Sequence, residues 1–185
     1  IKFAAKCEEA GVDAVVAEGF EAGGHNGREE TTNMCLIPMV REATSLPLIA
    51  AGGIGSGKAV LASMALGAEG IQAGTIFALT EESSAHQEFK NLCMQLKEGE
   101  TFLSLKQLAP TRLVKNNFFK QVQEAEARGA SIEDMKALLG KGRAKKGLFE
   151  GDLDEGELEI GQIVSSIDKI KTAQEVMEEL VCDYN

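Results

Sequence analysis

Apolar and polar positions fall into blocks along this chain, and the period of each block predicts an element. Across Lys2–Ala10, the apolar Phe3, Ala4, Cys7 and Ala10 alternate with Lys2, Lys6, Glu8 and Glu9. That is one face of a helix, stopped by Gly11. Val12–Ala17 is a short β-branched run that reads as a buried strand, ending in Glu18-Gly19 and opening into the glycine-rich Glu21-Ala-Gly-Gly-His-Asn-Gly27. A helix follows over Cys35–Thr44, where Pro38 is expected to delay the start or kink the axis. Pro47–Ala51 is a second apolar strand and runs into Gly52-Gly53-Ile54-Gly55. Ser56 can cap a helix with Val60, Leu61, Met64 and Ala65 on one face and Gly67 as terminator. Gly70–Leu79, with Gly74 and Thr75 inside it, reads as a third strand, and Ala85, Phe89, Leu92, Cys93 and Leu96 mark the next helix.

A strand, a glycine-rich loop and a helix, repeated three times, predict an α/β fold with a parallel sheet. Because the crossovers are right-handed, the three loops should leave the same carboxyl-terminal edge, where such sheets place ligands. Beyond Phe102 the pattern changes. Phe102–Leu105 suggests a fourth strand, and Asn116–Arg128 a helix. Ser131 and Asp134 form a capping box for a helix that turns Ile132, Met135, Leu138 and Leu139 inward and ends at Gly140. Residues 141–161 read as a glycine-punctuated link, basic and then acidic. Ile163, Ile167, Ile170, Val176, Met177 and Leu180 mark a closing helical segment that a second cap, Thr172 with Glu175, can divide.

Composition narrows the function classes. At 185 residues, 44% of them hydrophobic, the chain has enough for one core but is too short for a complete (β/α)8 barrel. A net charge of -10 argues against nucleic acid or an anionic membrane as partner. The dense basic exception is Lys141, Arg143, Lys145 and Lys146. No apolar run is long enough to span a bilayer. Cys7, Cys35, Cys93 and Cys182 are widely spaced, which suggests reduced, mostly packed thiols and a cytoplasmic protein.

His25 is the strongest chemical candidate. It follows a buried strand and stands among small residues, and histidine is the side chain most often used as an acid or base at a loop edge. Gly23, Gly24 and Gly27 would let a flat ligand approach the backbone. The alternative is a tight turn with a solvated histidine. His86 reads as an exposed helical residue, and neither histidine has metal-ligand spacing to another. The Gly52-Gly53 loop precedes a helix amino terminus, a natural phosphate cradle or else a plain turn. Gln72-Ala-Gly-Thr75 adds an amide, bare backbone and a hydroxyl at the next strand end. Together the two loops suggest a phosphorylated cofactor between consecutive strands.

These stretches, Ala17-Glu-Gly-Phe-Glu-Ala-Gly-Gly-His-Asn-Gly27, Leu48-Ile-Ala-Ala-Gly-Gly-Ile54 and Gln72-Ala-Gly-Thr75, resemble the nitronate monooxygenase and FMN-dependent enoyl-[acyl-carrier-protein] reductase family. So do Pro110-Thr-Arg-Leu-Val-Lys-Asn116, Phe149-Glu-Gly-Asp152 and Gly161-Gln162. The resemblance implies the carboxyl-terminal portion of an FMN-binding TIM barrel over residues 1–115, followed by a helical extension over 116–185. It implies that Gly53, Gly74 and Thr75 hold the FMN phosphate through backbone and hydroxyl, with Gly52 and Gln72 also in the cofactor site. Gly23 and Gly24 would lie beside the isoalloxazine, and His25 would face flavin and substrate as the catalytic residue. Ile76 stands where members commonly carry arginine. The family's first strands are not in this sequence, so the sheet should have an open edge and an incomplete flavin site.

By this resemblance the leading expectation is an enoyl-[acyl-carrier-protein] reductase that takes hydride from NADH, with acyl carrier protein steered by the basic patch and a homodimer as assembly. The alternatives are a nitronate monooxygenase using the same flavin and histidine with oxygen, and a catalytically inert fragment.

Overall fold

Val15 and Ala17 are buried on β1 (Val15–Glu18) while Val16 and Glu18 point to the other face, the period-two alternation of a strand. In a computed structural model describing residues 1–184, β1 follows α1 (Lys2–Glu9) and precedes the two-residue β2 (Gly24–His25) and α2 (Asn33–Ala43). Then come β3 (Leu48–Ala51), α3 (Gly57–Ala65), β4 (Gly70–Gln72), α4 (Thr75–Ala78) and α5 (Gln87–Cys93). The second half holds β5 (Thr101–Ser104), β6 (Thr111–Val114), α6 (Asn117–Ala127), α7 (Ile132–Leu139), α8 (Arg143–Leu148), a 3-10 turn at Gln162–Ser166 and α9 (Ala173–Tyr184).

Two small sheets organise these elements. One is parallel, in the order β1-β3-β4, with Val15 opposite Leu48 and Ile49 opposite Gly70. Val15, Ala17, Leu48 and Ala50 turn one face onto Ala4, Ile37 and Val40 of the helices, the first core. The opposite face is thinly covered, and Val16 is 48% exposed on it. The second sheet is antiparallel, in the order β2-β6-β5, so the segment carrying His25 pairs with Arg112 and Thr111. Leu158 and Ile160 join Leu79, Phe89 and Val114 in a second core, between β6 and the helices.

The cap residues read from the sequence are in place. Ser56 Oγ accepts from the Ala59 N–H at 3.3 Å, the Ser131–Asp134 box is reciprocal, and Thr172 with Glu175 starts α9 after the 3-10 turn. Several expectations need correction. The third strand stops at Gln72, because Gly74 adopts helical backbone angles and turns the chain into α4. Helix α2 begins at Asn33, two residues before the expected Cys35 and not delayed by Pro38, since the Glu21 carboxylate accepts the Asn33 N–H. Residues 141–161 contain α8, and β6 had no counterpart in the pattern. Leu61 and Ile132, expected inward, are 51% and 45% exposed, and Cys35 and Cys182 are exposed while Cys93 is buried. No helix among the described residues is long and apolar enough to cross a membrane.

Candidate functional site

The chain turns as soon as β1 ends: the Gly19 N–H donates to Ala51 O of β3 at 2.9 Å, and the Ala22 N–H to Gly19 O at 3.1 Å. Arg112, 1% exposed on β6, holds this loop from beneath. Its Nε donates to Ala22 O at 3.0 Å and its Nη2 to Phe20 O at 2.6 Å, with the guanidinium 4.5 Å from the Phe20 ring centre. Burial pulls the Arg112 pKa down while Glu21 and Glu30 oppose it, and the guanidinium remains cationic. Asn33 Nδ2 donates to Ala51 O at 3.0 Å and to Gly52 O, so the first loop and the second are joined through Glu21 and Asn33.

The tail completes the site. The Gly161 N–H donates to Thr75 Oγ1 at 3.0 Å and the Gln162 N–H to Glu21 O at 2.9 Å, which ties the first loop to the third. Gly23 is required by this closure, because a Cβ there would stand 2.4 Å from the Ile160 carbonyl carbon. Gly52, at φ +89°, faces Gly19 O at 2.8 Å from an added Cβ, so both its conformation and its contact exclude a side chain.

A cavity of about 230 Å³ lies where these segments meet. Gly23, Gly52, Gly53, Gln72, Gly74 and Thr75, six of the eight residues expected from the sequence, line it together. Its size is below the ~300–1,000 Å³ of ligand pockets and suits one end of a larger ligand. Among the described residues the N–H groups of Gly53 and Ile54 meet no protein acceptor. A Cβ on Gly74 would meet nothing within 4 Å, and the Thr75 hydroxyl, accepting from Gly161, keeps its own hydrogen to donate. Free amides, open space and a hydroxyl at the strand ends fit a phosphate.

Gly24 and His25 stand outside that wall, on β2, with His25 exposed at the rim. Two carboxylates in the wall respond to the charge of the histidine. Burial raises the pKa of Glu18, at the end of β1, and of Glu159 in the tail, and the charge of His25 opposes the rise in each. Behind them Glu157 is pushed up to about 7 by burial and then by Glu159, with Arg143 opposing. Glu159 was missed in the sequence because residues 141–161 read as a glycine-punctuated link, and Ile163 because it read as part of the closing helical stripe; the alternation of buried Leu158 and Ile160 around Glu159 was the available signal.

Other candidates fall elsewhere. His86 is exposed and caps α5 by accepting the Glu88 N–H at 3.2 Å. Ile76 turns into a core with Val176 and Leu180 rather than toward the cavity wall. Three of the four basic residues face carboxylates: Arg143 with Glu155 at 3.3 Å, Lys145 with Glu150 at 3.1 Å and Lys146 with Asp152 at 3.5 Å. Among the described residues no three His, Cys, Asp or Glu side chains gather as a metal site.

Comparison with known proteins places this arrangement. The backbone matches FabK from Thermotoga maritima with a TM-score of 0.91 at 34% identity, covering 99% of this chain and 58% of that one. It matches a nitroalkane oxidase from Streptomyces ansochromogenes with a TM-score of 0.78 at 31% identity, covering 99% and 55%. A probable nitronate monooxygenase of Staphylococcus haemolyticus is 46% identical over 106 residues, 52% of this chain and 30% of the relative. One from Staphylococcus saprophyticus is 39% identical over 127 residues, 63% of this chain and 36% of the relative. The matched stretches thus span about a third of those curated relatives, and the fold is the carboxyl-terminal portion of a TIM barrel. With the family profile for nitronate monooxygenase matching residues 1–183, the chain belongs to the nitronate monooxygenase family.

Proposed function

We propose that this chain carries the phosphate-binding and acid–base half of an FMN-dependent oxidoreductase, and that the reaction is reduction of an enoyl thioester by a nicotinamide donor such as NADH. The observation that carries the reading is the juxtaposition of His25 with a cavity built from three consecutive strand ends. The free amides of Gly53 and Ile54, the open space at Gly74 and the Thr75 hydroxyl would hold the FMN phosphate end, while Gln72 offers an amide beside them. When bound, FMN supplies the two-electron chemistry between donor and acceptor. His25, on the rim, polarises the thioester carbonyl or delivers the α-proton as the β-carbon is reduced. Arg112 fixes the loop leading to it by binding Phe20 O and Ala22 O.

The nitronate reading is the alternative, favoured by the names of the curated relatives. The protein, loaded with FMN, should consume NADH anaerobically when crotonyl thioester is added, and His25→Ala should lower kcat about 100-fold or more. Equal rates for wild type and His25→Ala would sink the assignment of His25. Oxygen uptake on propionate 3-nitronate, without NADH and without thioester turnover, would replace the reductase by the monooxygenase.

A further inference from the structure

Lys90 is 3% exposed, yet no carboxylate among the described residues pairs with its ammonium. Helix α5 buries it beside Phe89 and Cys93, and its Nζ donates to three backbone carbonyls of the turn that follows α4. These are Thr80 O at 2.6 Å, Ser83 O at 2.9 Å and Glu81 O at 3.3 Å, so all three ammonium hydrogens are used. The turn is itself a junction. The Glu81 N–H donates to Lys171 O at 2.9 Å, and the Glu82 carboxylate accepts the Ala173 N–H at 2.9 and 3.1 Å, where α9 starts. Helix α9 in turn packs on the amino end of α3, where a Cβ on Gly57 would stand 2.4 Å from Leu180 O. Helix α4, on the other side of the turn, begins at Thr75 in the cavity wall.

We propose that the turn over Thr80–Ser83 is a binding site for one primary ammonium ion, and that the head group of Lys90 is its built-in occupant. Neutral carbonyl oxygens that converge on one point replace the hydration shell of a singly charged cation, whereas a divalent ion calls for carboxylates, and none of these three ligands is one. Glu81 O and Ser83 O accept from nothing else among the described residues, so without the ammonium two buried-side carbonyls would lose their donor. The cation therefore sets the shape of the junction between α4 and α9. This role is independent of which reaction the flavin site performs.

Lys90→Ala removes the ammonium together with its carbon stem, a fragment that n-propylammonium reproduces. The substitution should lower the Tm of the 185-residue protein by about 6 °C or more. At about 100 mM, n-propylammonium chloride should raise the Tm of the variant by about 3 °C or more over tetramethylammonium chloride, which has the charge but no N–H, and that of wild type by less than about 1 °C. Lys90→Met, of similar length but uncharged, should lose comparable stability and gain nothing from the amine. In folded wild type, acetic anhydride should modify Lys90 at least about tenfold more slowly than the exposed Lys120, read by peptide mass spectrometry. A Tm unchanged by either substitution, or a Lys90→Ala protein that responds equally to the two salts or stays unfolded in n-propylammonium, would overturn the proposal. So would acetylation of Lys90 at the rate of Lys120.

Discussion

Gly23→Ala should unseat the tail and cost about 3 kcal/mol or more, roughly 6–12 °C in Tm for a chain of this size. The reason is the identity of the neighbours. An added Cβ would stand 2.4 Å from the Ile160 carbonyl carbon, 2.5 Å from the Gly161 nitrogen and 2.7 Å from the Ile160 Cα. These are backbone atoms, and they cannot swing aside as a long side chain does. The same backbone carries the Gly161 N–H to Thr75 Oγ1 and the Gln162 N–H to Glu21 O, so relief of the clash breaks the links that close the cavity. Amide hydrogen exchange reads this directly. The Gly161 and Gln162 amides should lose protection in the variant, while the Gly19 amide, bonded to Ala51 O in the parallel sheet, should keep it. Unchanged protection at Gly161 with unchanged Tm would mean that the tail does not close on the first loop as described.

Glu157→Gln should stabilise the protein above pH 7 by about 2–3 kcal/mol and leave it nearly unchanged near pH 4.5. Glu157 is 7% exposed, and burial with the nearby Glu159 raises its pKa from 4.5 to about 7 despite Arg143. The folded state therefore binds this proton more tightly than the unfolded one. Between pH 4.5 and about 7 the folded chain holds more protons than the unfolded chain, so stability falls as pH rises through that window. Glutamine imitates the protonated carboxyl at every pH and escapes the loss. Urea unfolding of both proteins across the window should show the difference growing and then levelling above pH 7. A difference independent of pH would contradict the burial of an ionisable carboxyl there.

The parallel half of this molecule was legible because its strands are short apolar runs and its loops are rich in glycine. Val12–Ala17, Pro47–Ala51 and the Gly52-Gly53 turn say what they are without reference to distant residues, and the three loops meet at one edge as right-handed crossovers require. The antiparallel half was not legible. β6 is buried on both faces yet contains Arg112, whose guanidinium donates to carbonyls some ninety residues earlier in the chain. No local period could reveal that partnership. β2 is two residues long and exists because β6 lies beside it. The stretch ending at Gly161 read only as a glycine-punctuated link, basic and then acidic, because nothing local in it marks a contact. Its role depends on Gly23 and Thr75, which only the fold brings near. Gly74 gave a false continuation of the third strand because a glycine inside an apolar run fits a strand as readily as the start of a helix.

If three strand ends and the returning tail cradle the phosphate end of FMN, as proposed, a side chain at Gly74 should displace it. The Gly74 φ of -103° is open to any residue and a Cβ there meets nothing within 4 Å. Gly74→Ala should therefore leave Tm within about 2 °C of wild type, as a substitution without a clash does. The methyl group would nevertheless occupy the space assigned to the phosphate. Titration of FMN fluorescence against the two proteins should show binding to wild type and affinity at least about tenfold weaker for Gly74→Ala at equal stability. Equal FMN affinity in the two proteins, or a wild type that binds no FMN, would contradict the account.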